Sequence, residues 1–415
     1  MNNLIKNSYL ASKVFVGEFA TSLSDSYLGR IFRFSSQKLS LIFVLLAAAA
    51  TWYEPLAKLI ILGSIVDALP FVLLVLSVLF CDFDKIKLYK LHVWYFAFLA
   101  LTMISGLLAI YSGRAEVNAV LYMVILVQFI LALISAQSQK TDQLINGLLI
   151  LGVPASVYGL WQFFGGGAIY STGSLESTFA RSSAFFTSPN IYGMFAVILF
   201  LVSVFQFKEQ KNKVYILLAV IFFAGALTSL SRTAWVALII GLIPLIEFQK
   251  LKLGNLGIIA GIKSRIGVIF SEEYWFNSAV DGRVWSLKNG LYISKQYPIL
   301  GTGPGTYGGK FAEIYSSPVY FKGMQNGYVA LMTTDNQYLA VLVQFGLVGF
   351  LAYVGFFLAL ALQIVLVRKN CYRLALAVLA SFAIMMLTSN AFEFTAIAIP
   401  VALLAGISLN QTEAF

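Results

Sequence analysis

LMTTDNQYLAVLVQFGLVGF, residues Leu331 to Phe350, is the stretch from which the rest of the chain can be read. Thr333, Thr334, Asp335, Asn336 and Gln337 stand near its start, and a nearly uninterrupted apolar run then continues to Val367. Such a run is long enough to cross a bilayer, for which about 20 apolar residues suffice in a helix. An ionisable side chain at the mouth of a membrane helix is expensive to hold there and marks a functional position by default. A local reading competes with this one: Thr or Asp before a helix caps its orphan N–H groups. Both readings of Asp335 stand at this point.

The composition extends the membrane reading to the whole chain. Of 415 residues, 60% are hydrophobic and 11% are charged, whereas soluble domains carry about 25% charged residues. The expected fold class is an all-α polytopic membrane protein, a single transmembrane domain over residues 1–415. A β-barrel would show short alternating segments instead. The formal net charge of +10 is read as topology rather than nucleic-acid binding, because Lys and Arg collect in cytoplasmic loops. Met1 to Gln37 lacks the apolar centre of a cleavable signal peptide, and Met1 to Lys38 is expected to lie as an amphipathic helix on the inner surface. Cys81 and Cys371 both sit beside basic clusters, which places them on the reducing cytoplasmic side. His92 is the one histidine, so a His-rich metal site is excluded; neither a metal nor a cofactor is expected.

Spans are expected at 39–53, 56–80, 91–111, 117–137, 143–164, 189–207, 214–228, 233–248, 335–367, 374–389 and 392–409, with a break in the second near Asp67 and Pro70. Residues 271–332 form a long polar region expected to lie outside, as residues 165–188 do. That parity requires one more crossing within 253–270, a short Gly-rich segment carrying Lys263 and Arg265. The total is about 12 crossings by the span-length rule.

Three arginines fall on the expected outer face, against the positive-inside bias: Arg181 in FARSSAFFTSPN, Arg232 in TSLSRTAW, and Arg283 in DGRVWSLKNG. The planar guanidinium offers paired donors to phosphate oxygens. Snorkelling, or pairing with Asp281, Glu176 or Glu313, accounts for any one of them alone. Three on one face together with Asp335 favour a shared anion site. GTGPGTYGG, residues 301–309, has neither the Lys-Ser/Thr pair nor the preceding strand of a P-loop and is read as a tight turn. In the helix expected after Arg283, Val284, Leu287, Leu291 and Ile293 are set towards the membrane, and Lys288 and Lys295 towards water.

Taken in order, these motifs resemble the O-antigen ligase and O-antigen polymerase superfamily, bacterial membrane glycosyltransferases that use undecaprenyl-diphosphate-linked sugars. The matching residues are Arg181 with Ser188-Pro189-Asn190; Thr228 with Ser231-Arg232-Thr233; Asp281-Gly282-Arg283 with Trp285; Pro298 with Gly301, Gly303 and Gly305; and Asp335-Asn336-Gln337-Tyr338-Leu339 followed by Gly346 and Gly349. The resemblance implies a GT-C type glycosyltransferase fold in the bacterial inner membrane, with a large periplasmic loop and the active site facing outward. It implies Asp335, Arg232 and Arg283 as catalytic, and Arg181, Asn190, Ser231, Asn336 and Tyr338 as binding diphosphate or glycan. The implied partners are an undecaprenyl-diphosphate-linked oligosaccharide donor, a glycan or lipid acceptor, membrane lipids and polysaccharide-assembly proteins. Ligases of this superfamily usually carry His where this chain has Asp335, so an O-antigen polymerase is the expected activity, with a ligase as the alternative. A flippase or exporter is the rival of another class. Internal repeats and charges at the bilayer midplane would mark a transporter, and here the charges gather at one face.

Overall fold

The computed structural model describes residues 27–53, 65–82, 86, 90–113, 122–166, 181–245, 283–309, 312, 334–368 and 371–409. Side chains at 27–35, 65–67, 90–92 and 283 fall outside that description. Among the described residues the chain is all-helical, with twelve helices and no strand. They are α1 Tyr27–Trp52, α2 Ile65–Leu79, α3 Lys90–Tyr111, α4 Tyr122–Gln137, α5 Thr141–Phe164, α6 Pro189–Gln210, α7 Val214–Thr228, α8 Arg232–Leu245, α9 Arg283–Gln296, α10 Gln337–Val367, α11 Tyr372–Thr388 and α12 Thr395–Ser408.

Four stretches, Val93–Tyr111, Thr141–Phe164, Pro189–Gln210 and Gln337–Val367, are long and apolar enough to cross a membrane, and seven shorter apolar helices accompany them. The protein is therefore a helical membrane protein. Each of the eleven expected spans overlaps a helix, nine of them to within about five residues; α1 begins at Tyr27, so its first part continues an expected surface segment straight into the span, and α2 begins at Ile65, the expected start at 56 lying outside the described residues. Pro70 lies inside α2. The expected crossing at 253–270 lies outside the described residues.

Helices α4 to α8 and α10 to α12 run up and down, so the bundle has two distinct ends. One end collects Lys140, Lys211, Lys213 and Arg368 at its turns, and there Lys208 Nζ donates to the Leu245 carbonyl at 2.6 Å. The helices α4, α6, α8, α10 and α12 begin at the other end. Packing is tight where small residues let helices approach: a Cβ on Gly241 of α8 would sit 3.2 Å from the Ala377 carbonyl of α11. With lipid outside, such close packing and interhelical hydrogen bonds replace the hydrophobic effect as the association force. The centre is filled by aromatic rings, among them Phe129, Tyr353, Phe356 and Phe392, all buried.

α10 is the irregular element. Its 31 residues would measure about 46 Å as a straight helix, well beyond a hydrocarbon core of about 30 Å. The helix breaks at Gly346, whose φ of 65° lies in the left-handed region. The segment Pro298–Gly305 docks into this break. Thr302 N donates to the Val343 carbonyl at 2.9 Å and Gly303 N to the Gln344 carbonyl at 2.8 Å. Beyond the break, Leu347 N donates to the Pro298 carbonyl at 2.8 Å and Val348 N to that of Ile299 at 3.3 Å. Gln344 Oε1 also accepts from Gly305 N at 2.6 Å. Irregular backbone at membrane depth is tolerated only when other protein satisfies it, and this segment does so. The Gly-rich run is thus a docked insert and more than a turn.

α9 packs along the first half of α10. Ile293, Tyr307, Ala312, Leu339 and Val343 form a second, smaller core there. Of the four apolar residues expected to face the membrane, Ile293 is buried in protein, while Leu287 and Leu291 are exposed, as are Lys288 and Lys295.

Candidate functional site

The arginine turn is built from two loops at the end of the bundle opposite the basic turns. Residues 181–188 are pinned by Gln162 of α5, whose Oε1 accepts from Ala184 N at 2.8 Å. Ser182 Oγ donates to Thr228 Oγ1 at 2.9 Å, which ties this loop to the end of α7. Arg181 then spans the gap. Its Nε donates to the Ser229 carbonyl at 3.0 Å and one terminal nitrogen donates to Asn190 Oδ1 at 2.9 Å. Ser229, Leu230 and Ser231 form the tight connection to α8, with Leu230 at a φ of 50°. Ser231 Oγ accepts from Ala234 N at 3.4 Å, so this buried serine caps α8. Arg232 opens the helix and is exposed. Arg181 therefore supports the turn that presents Arg232.

The mouth of α10 is the second part. Asn336 is the N-cap, its side chain accepting from Leu339 N at 3.0 Å. The capping expected of Thr or Asp thus falls to Asn336, and Asp335 stands half-buried just before it. Thr334 is buried; its N donates to the Gly308 carbonyl at 2.7 Å and its Oγ1 accepts from Ser286 of α9 at 3.1 Å. Tyr307 donates its hydroxyl to the Ser286 carbonyl at 2.8 Å, and burial raises its pKa, so it stays a neutral donor. Tyr338 turns its hydroxyl towards the Ala383 carbonyl of α11 at 3.4 Å.

The end of α11 joins the two parts. Thr388 Oγ1 lies 2.7 Å from Thr233 Oγ1, beside Arg232. Asn390 Nδ2 donates to the Gly308 carbonyl at 2.6 Å, beside Thr334 and Asp335. Arg181, Asn190, Ser231 and Arg232 thus form one group, and Asp335, Asn336 and Tyr338 another, bridged across Thr388–Asn390. Arg283 opens α9 at the same end, but its side chain lies outside the described residues.

The sequence reading missed Glu393. It is half-buried, and its carboxylate lies so close to Gly309 that a Cβ there would stand 2.1 Å from Oε2. One signal marked it: Glu393 is the one charged residue between Arg373 and Leu409.

The electrostatics of this end favour an anion. α6 and α8 both point their N-termini at the arginine turn, and a helix N-terminus carries roughly half a positive charge. With Arg181 and Arg232 there, the turn suits phosphate oxygens. No protein-family model matches the chain, and no match is found among curated proteins.

Proposed function

We propose that the protein is a membrane glycosyltransferase of the bacterial inner membrane that polymerises repeat units carried on undecaprenyl diphosphate. The carrying observation is the junction of the arginine turn with the mouth of α10 through Thr233–Thr388 and Asn390–Gly308. It puts a group of anion-binding donors and a carboxylate at one end of one bundle. The motif resemblance supports the GT-C type fold, and the positive-inside rule supports an outward-facing site opposite the basic turns.

In this reading Arg232, with Arg283 and supported by Arg181, holds the diphosphate of the donor. Asp335 accepts the proton of an acceptor sugar hydroxyl. The hydroxyl oxygen attacks the anomeric carbon, and the bond from that carbon to the diphosphate oxygen breaks. The electron pair leaves with the diphosphate, and the arginines stabilise the charge that develops there.

The test is a reconstituted assay with purified protein and a lipid-linked repeat unit as the sole substrate. A ladder of longer lipid-linked glycans, absent with Asp335→Ala, is the expected result. Transfer that occurs only when a separate lipid or protein acceptor is supplied would replace polymerase with ligase. A bound substrate with no product would overturn the enzyme reading.

A further inference from the structure

Asp335 and Arg283 enter the proposed reaction from different elements, the mouth of α10 and the start of α9, and one buried contact joins the two backbones. Ser286 Oγ donates to Thr334 Oγ1 at 3.1 Å, across 48 positions of sequence. Both residues are buried. Thr334 is the residue immediately before Asp335, and Ser286 stands three residues after Arg283, which opens α9. Asp335 thus reaches the contact through one peptide, about 3.8 Å between Cα atoms, and Arg283 through about 4.5 Å of helix axis.

Each partner of this contact is held from a second direction. The Tyr307 hydroxyl donates to the Ser286 carbonyl at 2.8 Å, and Thr334 N donates to the Gly308 carbonyl at 2.7 Å. Gly308 has a φ of 75°, and a Cβ there would lie 2.6 Å from Thr334 Oγ1, so its backbone closes directly on the threonine hydroxyl. Farther along α9, a Cβ on Gly290 would lie 2.8 Å from both the Tyr307 hydroxyl and Leu339 Cδ2 of α10. Ser286, Gly290 and Ile293 are the buried positions among the described side chains of α9, and their spacing puts them on one face. Serine and threonine each carry the hydroxyl on a single rotatable bond, so the contact has little slack. A misplacement of about 1 Å between reacting groups costs on the order of 10²-fold in rate. We propose that Ser286, acting through Thr334, is a positioning residue that sets the separation of Arg283 from Asp335. This rests on the proposed function, in which that separation is the one between the leaving diphosphate and the base.

The experiment is steady-state kinetics of the purified full chain on a lipid-linked repeat unit, with binding of glycan-free undecaprenyl diphosphate measured alongside. Thr334→Val removes the hydroxyl at nearly constant volume, and Thr334→Ser keeps it. Thr334→Val should lower kcat by about 10- to 100-fold. KM and the affinity for undecaprenyl diphosphate should stay within about twofold of wild type, because each element keeps its own side chains. Thr334→Ser should restore kcat to within about threefold of wild type. Ser286→Ala should match Thr334→Val, and the two combined should lose no more than either alone, because both break one bond. Ser286→Ala carries the test if Thr334→Val does not fold. Unchanged kcat in the folded variants, a rise in KM in place of the fall in kcat, or a Thr334→Ser protein as slow as Thr334→Val would each overturn the positioning role and leave the polymerase reading in place. Wild-type protein that makes no polymer would overturn that reading and the positioning role with it.

Discussion

Thr233 and Thr388 meet oxygen to oxygen at 2.7 Å, and this contact fixes the arginine turn to the end of α11. A hydroxyl pair at a helix–helix contact contributes about 1 kcal/mol net. In a double-mutant cycle, Thr233→Val and Thr388→Val should show a coupling of about 0.5–1.5 kcal/mol in thermal stability. Strictly additive losses would mean that the pair does not join the two parts.

Asn336 caps α10, and the proposed reaction gives the adjacent Asp335 a separate role. Asn336→Ala removes the bond to Leu339 N and should cost about 1 kcal/mol of stability. Asp335→Asn should leave the melting midpoint in place and lower turnover by about 10²- to 10⁴-fold. A stable and fully active Asp335→Asn protein would remove this carboxylate from the reaction.

Of the three arginines of the candidate site, the two whose side chains are described should respond differently. Arg181 bonds Ser229 and Asn190, so Arg181→Ala should lower stability by roughly 1–3 kcal/mol as well as activity. Arg232 is exposed. Arg232→Lys should keep stability and lose about tenfold or more in turnover, because lysine does not reproduce paired contacts to phosphate. Equal thermal losses for both would contradict the division of roles.

Much of this architecture was legible in the sequence because a membrane span is a long-range pattern of single residues. Apolar runs such as 214–228 and 189–207 announce themselves, and the helices Val214–Thr228 and Pro189–Gln210 follow. The grouping of Arg181 with Arg232 was legible too, since both stood against the expected charge bias, and the structure brings them to one turn. The break at Gly346 was not. A glycine in an apolar run reads as helix, and what breaks it here is a segment more than forty positions earlier, Pro298–Gly305, supplying the missing partners. Thr388 and Asn390 were equally invisible, because their role depends on which helix ends meet. Glu393 could have been noticed as a lone charge, but nothing in its local pattern points to Gly309.

Gly346 offers the sharpest test of the insert. A Cβ there would lie 2.3 Å from the Ile299 carbonyl, and the left-handed backbone alone disfavours any other residue. Gly346→Ala should cost more than about 2 kcal/mol and expose residues 298–305 to proteolysis. A variant with wild-type stability and protease resistance would show that the docked insert is dispensable.

Cys81 gives a pH-dependent signature. Burial, and then the neighbouring Asp82, push its thiol up to about 11 from an ordinary value of 9.0. The neutral thiol is the form the fold favours, so its contribution to stability is complete below about pH 9 and declines as pH rises towards about 11. The thiolate is the reactive species, so N-ethylmaleimide should leave Cys81 unmodified in the folded protein at pH 7.5 and modify it after denaturation. Rapid labelling of Cys81 in the folded protein at that pH would contradict the buried placement.

The insert at Gly346 bears on how the chain is made. Leu347 and Val348 donate to Pro298 and Ile299 instead of to their own helix, and each backbone group left unsatisfied in hydrocarbon costs several kcal/mol. In its broken form α10 therefore cannot stand in the bilayer alone; before residues 298–305 dock, Leu347 and Val348 have to bond the Val343 and Gln344 carbonyls of an unbroken helix. The ribosome releases residues 298–305 before Gly346 emerges, so the partner segment is already made when α10 enters the bilayer. Docking of this segment then converts a rod into the broken helix, an exchange of two helical hydrogen bonds for four between segments.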